Sequence, residues 1–352
     1  MVFSPNKLMA LVAFATAANA GGGIFIIQCA PMTVQRADPI VFPGQISPHV
    51  HAVAGGTNFG LTTSNEDARN SQETTCSFSI DRSQYWQPQL YHQDRAGKFE
   101  LIKFLGINAY YLDRVCDYAP GRTNCDNAPK AKAPPRGLRM VTGDPFRKNY
   151  DHNIMEHRAQ SYLCLDPAAP EGHKILQAPC KESRVQTFFP SCWNGRDLDS
   201  ADHKSHMSFP VTGQYDSGVC PESHPIAVLS VFLEFFYNNR QVADGDFNKW
   251  VFAQGDSVGY GIHGDYLQGW TDQGALERSM ATCSDDGGLN NPNCSIKQAS
   301  INQSGPDRAG QVVSRKPEKA PVNEEIGLNG KLDKLPGNNP VFRRSSSAKM
   351  RL

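Results

Sequence analysis

Two histidines stand one residue apart, His49-Val50-His51, between the glycines of GQISPHVHAVAGGTNFG. If this stretch is extended, side chains at i and i+2 leave the same side of the chain, so two imidazoles converge on one point. That arrangement suits two ligands of a transition metal, or two polar groups gripping one small molecule. His-x-His also arises without function, and a Gly-flanked turn is the plainer reading of the same residues.

Three further stretches collect polar and aromatic residues. FPSCWNGRDLDSADHKSHMSFP (189–210) carries Asp197, Asp199, Asp202, His203, Lys204 and His206 beside Trp193. A solvated acidic loop explains the charges, but an indole face among carboxylates and imidazoles is also what a pyranose ring stacks on and hydrogen-bonds to. GDSVGYGIHGDYLQGW (255–270) sets Asp256, His263, Asp265 and Trp270 among glycines that let the backbone approach a ligand closely. It lacks the Gly-Lys-Ser/Thr end of a phosphate loop, so the alternative is a Gly-rich hairpin. DRSQYWQPQLYH (81–92) holds Tyr85, Trp86, Tyr91 and His92 and reads as an aromatic core strand or as part of a sugar platform. His224, in CPESHP, reads as a turn residue, and His152, His157 and His173 as surface residues.

These residues need a rigid frame, and the sequence supplies strands for it. GIFIIQ, KFELIKF, NAYYLDRV, GLRMVTG, AQSYLCLD and KWVFAQG are short β-branched or aromatic runs bounded by turn residues. IAVLSVFLEFFYNN (226–239) is apolar on both alternating faces, which predicts a central strand packed on both sides; a buried helix is the competing assignment. DQGALERSMATC (272–283) has Leu276 and Met280 at i, i+4 and is the best helix candidate. The sum predicts a mostly β fold with few short helices: one large, disulfide-clipped β-sandwich or jelly-roll-like domain. The Pro-rich NAPKAKAPPRG (127–137) reads as a loop between strands, since no composition break divides the body.

Residues 1–20 read as a signal peptide, with Lys7, an apolar run from Leu8 to Ala18 and the small-x-small site Ala18-Asn19-Ala20. Ten cysteines follow it, an even and dispersed set that reads as disulfides in a secreted chain. Cys116 with Cys125 and Cys283 with Cys294 would clip short loops; Cys164 with Cys180 and Cys192 with Cys220 are next, which leaves Cys29 for Cys76, although other pairings stay open. The formal net charge is zero. It is unevenly spread, because 295–352 holds eleven Lys/Arg against five Asp/Glu. The remaining body is mildly acidic, which argues against nucleic acid as its partner. The tail 295–352, rich in Asn, Pro, Gly and Ser, predicts a basic, disordered extension. Asn293-Cys-Ser and Asn302-Gln-Ser are glycosylation sequons.

Taken in order, DPIVFPGQISPHVHAVAGGTNF, DRSQYWQPQLY, RMVTGDPF, FPSCWNGRDLDSADHKSHMSFP, CPESHP and GYGIHGDYLQGW resemble the motifs of the fungal secreted family DUF1996. The resemblance runs from about Asp38 to Cys294, so the domains read as leader 1–20, DUF1996-like body 21–294 and tail 295–352. It implies a fungal extracellular protein of a family often joined to WSC modules, none of which is visible here. It brings no established reaction. It implies that His49, His51, Asp202, His203, Lys204, His206, His224, His263 and Asp265 belong to family motifs, and their meeting in one pocket is an expectation.

The leading functional expectation is a secreted protein that acts on or binds cell-wall polysaccharide, as a glycoside hydrolase or polysaccharide lyase. Hydrolysis would draw on Asp199, Asp202 and Asp265, and lyase chemistry on the histidines, a tyrosine and Lys204. Trp193, Asp199, Tyr85 and Trp270 would hold the sugar; His49, His51, Asp202, His203, Lys204, His206, His263 and Asp265 would carry the chemistry. The alternative is an extracellular protein holding divalent copper or zinc through His49, His51 and a third histidine, His203 in the first assignment, with His206 or His263 in its place otherwise. A mature chain starting at Gly21 lacks the N-terminal histidine of a lytic monooxygenase. A non-catalytic wall-binding or stress-related module is the third reading. No nucleic acid and no membrane span is expected in any of them.

Overall fold

The computed structural model describes residues 23–176, 178–242, 249–283, 288–302, 310 and 312–342, so the leader expected at 1–20 lies outside the described residues. Two five-stranded antiparallel sheets face each other. The first runs Ile24–Cys29, Lys103–Leu112, Ser230–Asn238, Glu182–Phe188, Gln160–Asp166 in spatial order. The apolar run predicted as central, Ser230–Asn238, is its middle strand. The second sheet runs Thr33–Gln35, His51–Gly55, Gln84–Pro88, His263–Leu267, Arg139–Gly143.

Strand alternation decides what each sheet buries. Val231, Leu233 and Phe235 of the first sheet share one core with Ala52, Ala54, Tyr85, Met140 and Tyr266 of the second. Each fully buried apolar side chain of this kind contributes about 1.5–3 kcal/mol. The opposite face of the second sheet carries Val53, Trp86, Val141 and Leu267, which pack under Met32, Ala37, Ile40, Phe59 and Ala68 of the flanking segments. Both faces of the second sheet are therefore covered. A polar side chain on its outer face is sealed from water by the segments on either side of the His51–Gly55 strand, which carry Ala37, Ile40, Phe59 and Ala68.

The fold is mostly β with few short helices, as predicted. Gln273–Glu277 and Ser279–Thr282 form the helical segment, capped by the Asp272 carboxylate on the Ala275 N–H, with Leu276 and Met280 buried. Five disulfides join Cys29–Cys76, Cys116–Cys125, Cys164–Cys180, Cys192–Cys220 and Cys283–Cys294, the set the spacing favoured.

The predicted disordered tail is corrected over its described residues. Ser295–Ile301 is a helix with Ile296 buried in the main core. Residues 312–342 lie along the body: Leu332 pairs with Phe99, Tyr91 donates to the Ile326 carbonyl at 2.8 Å, and Ile326 and Leu335 are buried. Mean composition gave the wrong answer because a few well-spaced apolar residues and backbone hydrogen bonds suffice to dock an extended segment.

Candidate functional site

The register of the second sheet builds the site. His51 stands opposite Pro88, and Gln84–Pro88 neighbours the strand that His263 opens. His263 in turn stands opposite Gly143. His51, His263 and Asp265 thus share the outer face, away from the Tyr85–Tyr266 core, and His49 precedes its strand by two residues. Gly143 has φ +83, and a Cβ there would lie 2.4 Å from the Ile262 carbonyl oxygen, so only glycine lets the strands close beside His263.

The three imidazoles are buried and converge. His49 Nε2 lies 3.1 Å from His263 Nε2, and the ligating nitrogens of His49, His51 and His263 all fall within 4.8 Å of one another. His51 Nδ1 meets the Ala37 carbonyl at 3.1 Å, and His263 Nδ1 meets the Gly261 carbonyl at 3.1 Å. A carbonyl only accepts, so each Nδ1 carries the proton and each Nε2 presents its lone pair. His51 Nε2 is buried and has no hydrogen-bond partner among the described residues. Two nitrogens bound at 2.0–2.1 Å to one tetrahedral ion lie about 3.3 Å apart, close to the separation of His49 and His263. The donor set and its tautomers fit zinc or copper.

Burial holds all three imidazoles neutral. It lowers His49 well below the ordinary imidazole value, with the charges of His51, His263 and Arg36 adding to it. Burial lowers His51 likewise, with His263 adding and the Ala37 bond opposing. His263 falls to about 4, mainly through burial, against the Gly261 carbonyl. Neutral imidazole is the ligating form. Asp256 sets the Gly261 partner in place: its carboxylate accepts from the N–H groups of Val258, Gly259 and Gly261, the last at 2.6 Å.

Asp265 follows His263 by two residues on the same face. It is fully buried, and neither oxygen finds a hydrogen-bond partner among the described residues. Burial, and then the charge of Asp38, push its carboxyl well above the usual range, with Lys204 opposing. Asp38, whose Oδ1 accepts from the Ile40 and Val41 N–H groups, was missed as a site residue. Its Asp-Pro turn chemistry was legible, but its neighbour across the sheet was not.

The other predicted residues separate into rim, brace and core. Lys204 reaches the Gly143 carbonyl and lies 3.1 Å from Glu156, whose carboxylate also accepts from the Gly143 N–H at 3.1 Å. His203 pairs with Asp199 at 2.7 Å and lies outside the trio, whose third imidazole is that of His263. His206 is locked between Ser200 Oγ and the Arg139 carbonyl, both at 2.8 Å, and spans loop to strand. Burial works against a charged Asp202, but donors from Ser205, Ser200 and Lys204 outweigh it and hold the carboxyl below its usual range. Its Oδ1 accepts from Ser200, Lys204 and Ser205 and so shapes its own loop. His224 meets the Ser205 carbonyl at 3.0 Å as a surface brace.

The expected sugar platform is also corrected. Tyr85 and Trp270 lie between the sheets, 0% and 1% exposed, in a chain where Tyr85 donates to Asp81 at 2.8 Å and Trp270 donates to Tyr111 at 2.8 Å. They cannot stack on a ligand from solvent. Trp193 is partly buried, its indole N–H donating to the Asp197 carbonyl at 2.6 Å. His152, His157 and His173, read as separate surface residues, gather around Tyr150, which stacks on His173 with centroids 4.6 Å apart.

Residues 38–270, which hold all three imidazoles, match the family described as a domain of unknown function, DUF1996. The chain belongs to the DUF1996 family. Neither the comparison with curated proteins nor that with solved structures returns a match. Among the described residues no helix is long and apolar enough to cross a membrane.

Proposed function

We propose that this DUF1996 protein is an extracellular metalloprotein in which His49, His51 and His263 hold one divalent transition metal, zinc or copper. The observation that carries the reading is the pair of Nε2 atoms 3.1 Å apart, joined by a third buried imidazole whose Nε2 has no partner among the described residues. Three buried lone pairs facing one another are unfavourable unless a proton or a cation lies among them. Backbone carbonyls on Nδ1 are the outer partners that ligating histidines ordinarily have. Three imidazoles fill three of the four positions of a tetrahedral ion, which would supply a Lewis acid or a redox centre inside the sealed layer. The five disulfides support an oxidising compartment. Fungal origin and secretion belong to this proposal.

Elemental analysis of protein purified without chelator tests the reading. About one equivalent of metal supports it. Less than about a tenth of an equivalent, with no uptake on titration, removes it.

Action on wall polysaccharide is the second reading, and Trp193 carries it as the one proposed sugar-binding aromatic that keeps some exposure, at the edge of the His/Asp loop. Retention on an affinity gel of glucan, mannan or polyuronate that is lost in Trp193→Ala supports it; equal retention of both proteins contradicts it.

A further inference from the structure

The segment 318–342 lies beyond the family match, yet it touches both arms of the histidine centre. On the first arm, Arg36 closes the loop that ends at His49: its Nε donates to the Ser47 carbonyl at 2.6 Å, and Ser47 N–H returns to the Arg36 carbonyl at 3.2 Å. The same guanidinium, itself half-buried, pairs with the surface carboxylate of Glu324 at 2.8 Å, and Val322 N–H donates to Gln35 at 3.1 Å. Ala37, whose carbonyl orients His51, is the next residue after Arg36. Further along, Asn339 Nδ2 donates to the carbonyl of Pro48, the residue before His49, at 2.9 Å. Gly337, at φ +82, packs so tightly there that a Cβ would sit 2.1 Å from the Pro48 oxygen.

On the second arm, the same Asn339 amide reaches the Ala253 carbonyl at 3.1 Å. Phe342 N–H donates to the Gly255 carbonyl at 3.0 Å, and Ser257 Oγ donates to the Phe342 carbonyl at 2.8 Å. Asp256, between those two contacts, organises the turn whose Gly261 carbonyl orients His263.

We propose that residues 318–342 form a strap that sets the spacing between the His49–His51 arm and the His263 arm, with Asn339 and Glu324 as positioning residues for the metal site. The proposal rests on the metal reading above. The strap makes no contact with the ion; it fixes the loops that present the imidazoles. Outer partners of ligating histidines are worth about 10- to 100-fold in affinity, and a clamp on the segments behind them acts by the same route.

The test uses the full chain and cobalt(II) as the probe. Asn339→Ala and Glu324→Gln, singly and together, should weaken cobalt binding by about tenfold in the double variant and shift the visible bands of the bound ion, while Glu324→Asp restores them. A merely structural strap would lower the melting temperature and leave the bands of the bound ion unchanged. If the parent binds cobalt and the double variant binds it with the same affinity and spectrum, the strap proposal is overturned. If the parent takes up no metal, the metal reading has failed, and hydrogen exchange at Val50 and His51 decides the strap separately. Faster exchange there in the double variant supports the clamp, and unchanged exchange overturns it.

Discussion

His49 and His263 are separated by more than two hundred residues of chain, yet their Nε2 atoms lie 3.1 Å apart inside a sealed layer. The Gly261 carbonyl keeps the His263 proton on Nδ1, so a metal-free protein must bridge the gap with the Nε2 proton of His49. A divalent cation would replace that proton. His49→Ala or His263→Ala should therefore lower metal affinity by at least about 100-fold while the disulfide-clipped fold remains. His203→Ala, at the rim, should leave affinity within about threefold of the parent. Calorimetric titration of each purified variant measures this. Equal losses in all three would place the ion elsewhere.

The depressed imidazoles fix the pH dependence. The folded value of His263, about 4, lies below its unfolded value near 6.5, so the unfolded chain binds the extra proton. The neutral imidazole's contribution is complete above about pH 6.5 and is lost as pH falls toward 4, an effect of roughly 3 kcal/mol. Asp81, buried and raised to about 6, works in the opposite sense, since its cost appears as pH rises from its unfolded value. Comparing the parent with His263→Asn cancels the Asp81 contribution. Denaturant unfolding at pH 7 and pH 4.5 should show a smaller acid loss in the variant. Parallel pH curves for the two proteins would contradict the assignment.

Asp256 acts through Gly261. Asp256→Ala frees three N–H groups of the 258–261 turn and should lower metal affinity about 10- to 100-fold. The spectrum of bound cobalt should shift as His263 loses its fixed orientation. Unchanged affinity in a folded variant would show that the turn holds its shape without the carboxylate.

Tyr85 belongs to the interior. Tyr85→Phe removes the hydroxyl that bonds both Asp81 and Tyr111 and should cost about 1–3 kcal/mol in unfolding free energy. Metal uptake and polysaccharide retention should match the parent. Loss of retention without loss of stability would return Tyr85 to the sugar platform.

How much of this was legible follows from which interactions are local. Strand alternation in 226–239 and the i, i+4 pair of the 272–283 helix are local patterns, and both appear as predicted; the His49 and His51 rings lie 4.4 Å apart, although His49 stands outside the strand that His51 opens. The third imidazole of the cluster was not local. DHKSH offered two histidines close together, yet that loop turns them toward Asp199 and the Arg139 carbonyl, while sheet register brings in His263. Tyr85 and Trp86 alternate on one strand, and sequence could not say which of the two faces met the first sheet. The tail misled for the opposite reason: Ile326, Leu332 and Leu335 are too few to raise mean hydropathy but are spaced to dock.

The central claim is that three imidazoles converge on one ion. Titration of the metal-free chain with cobalt(II), followed by visible absorption, tests it most directly. Intense bands of a four-coordinate ion should appear, saturate at about one equivalent and vanish in His263→Ala. A spectrum no different from cobalt in buffer, or bands that survive in His263→Ala, would contradict it.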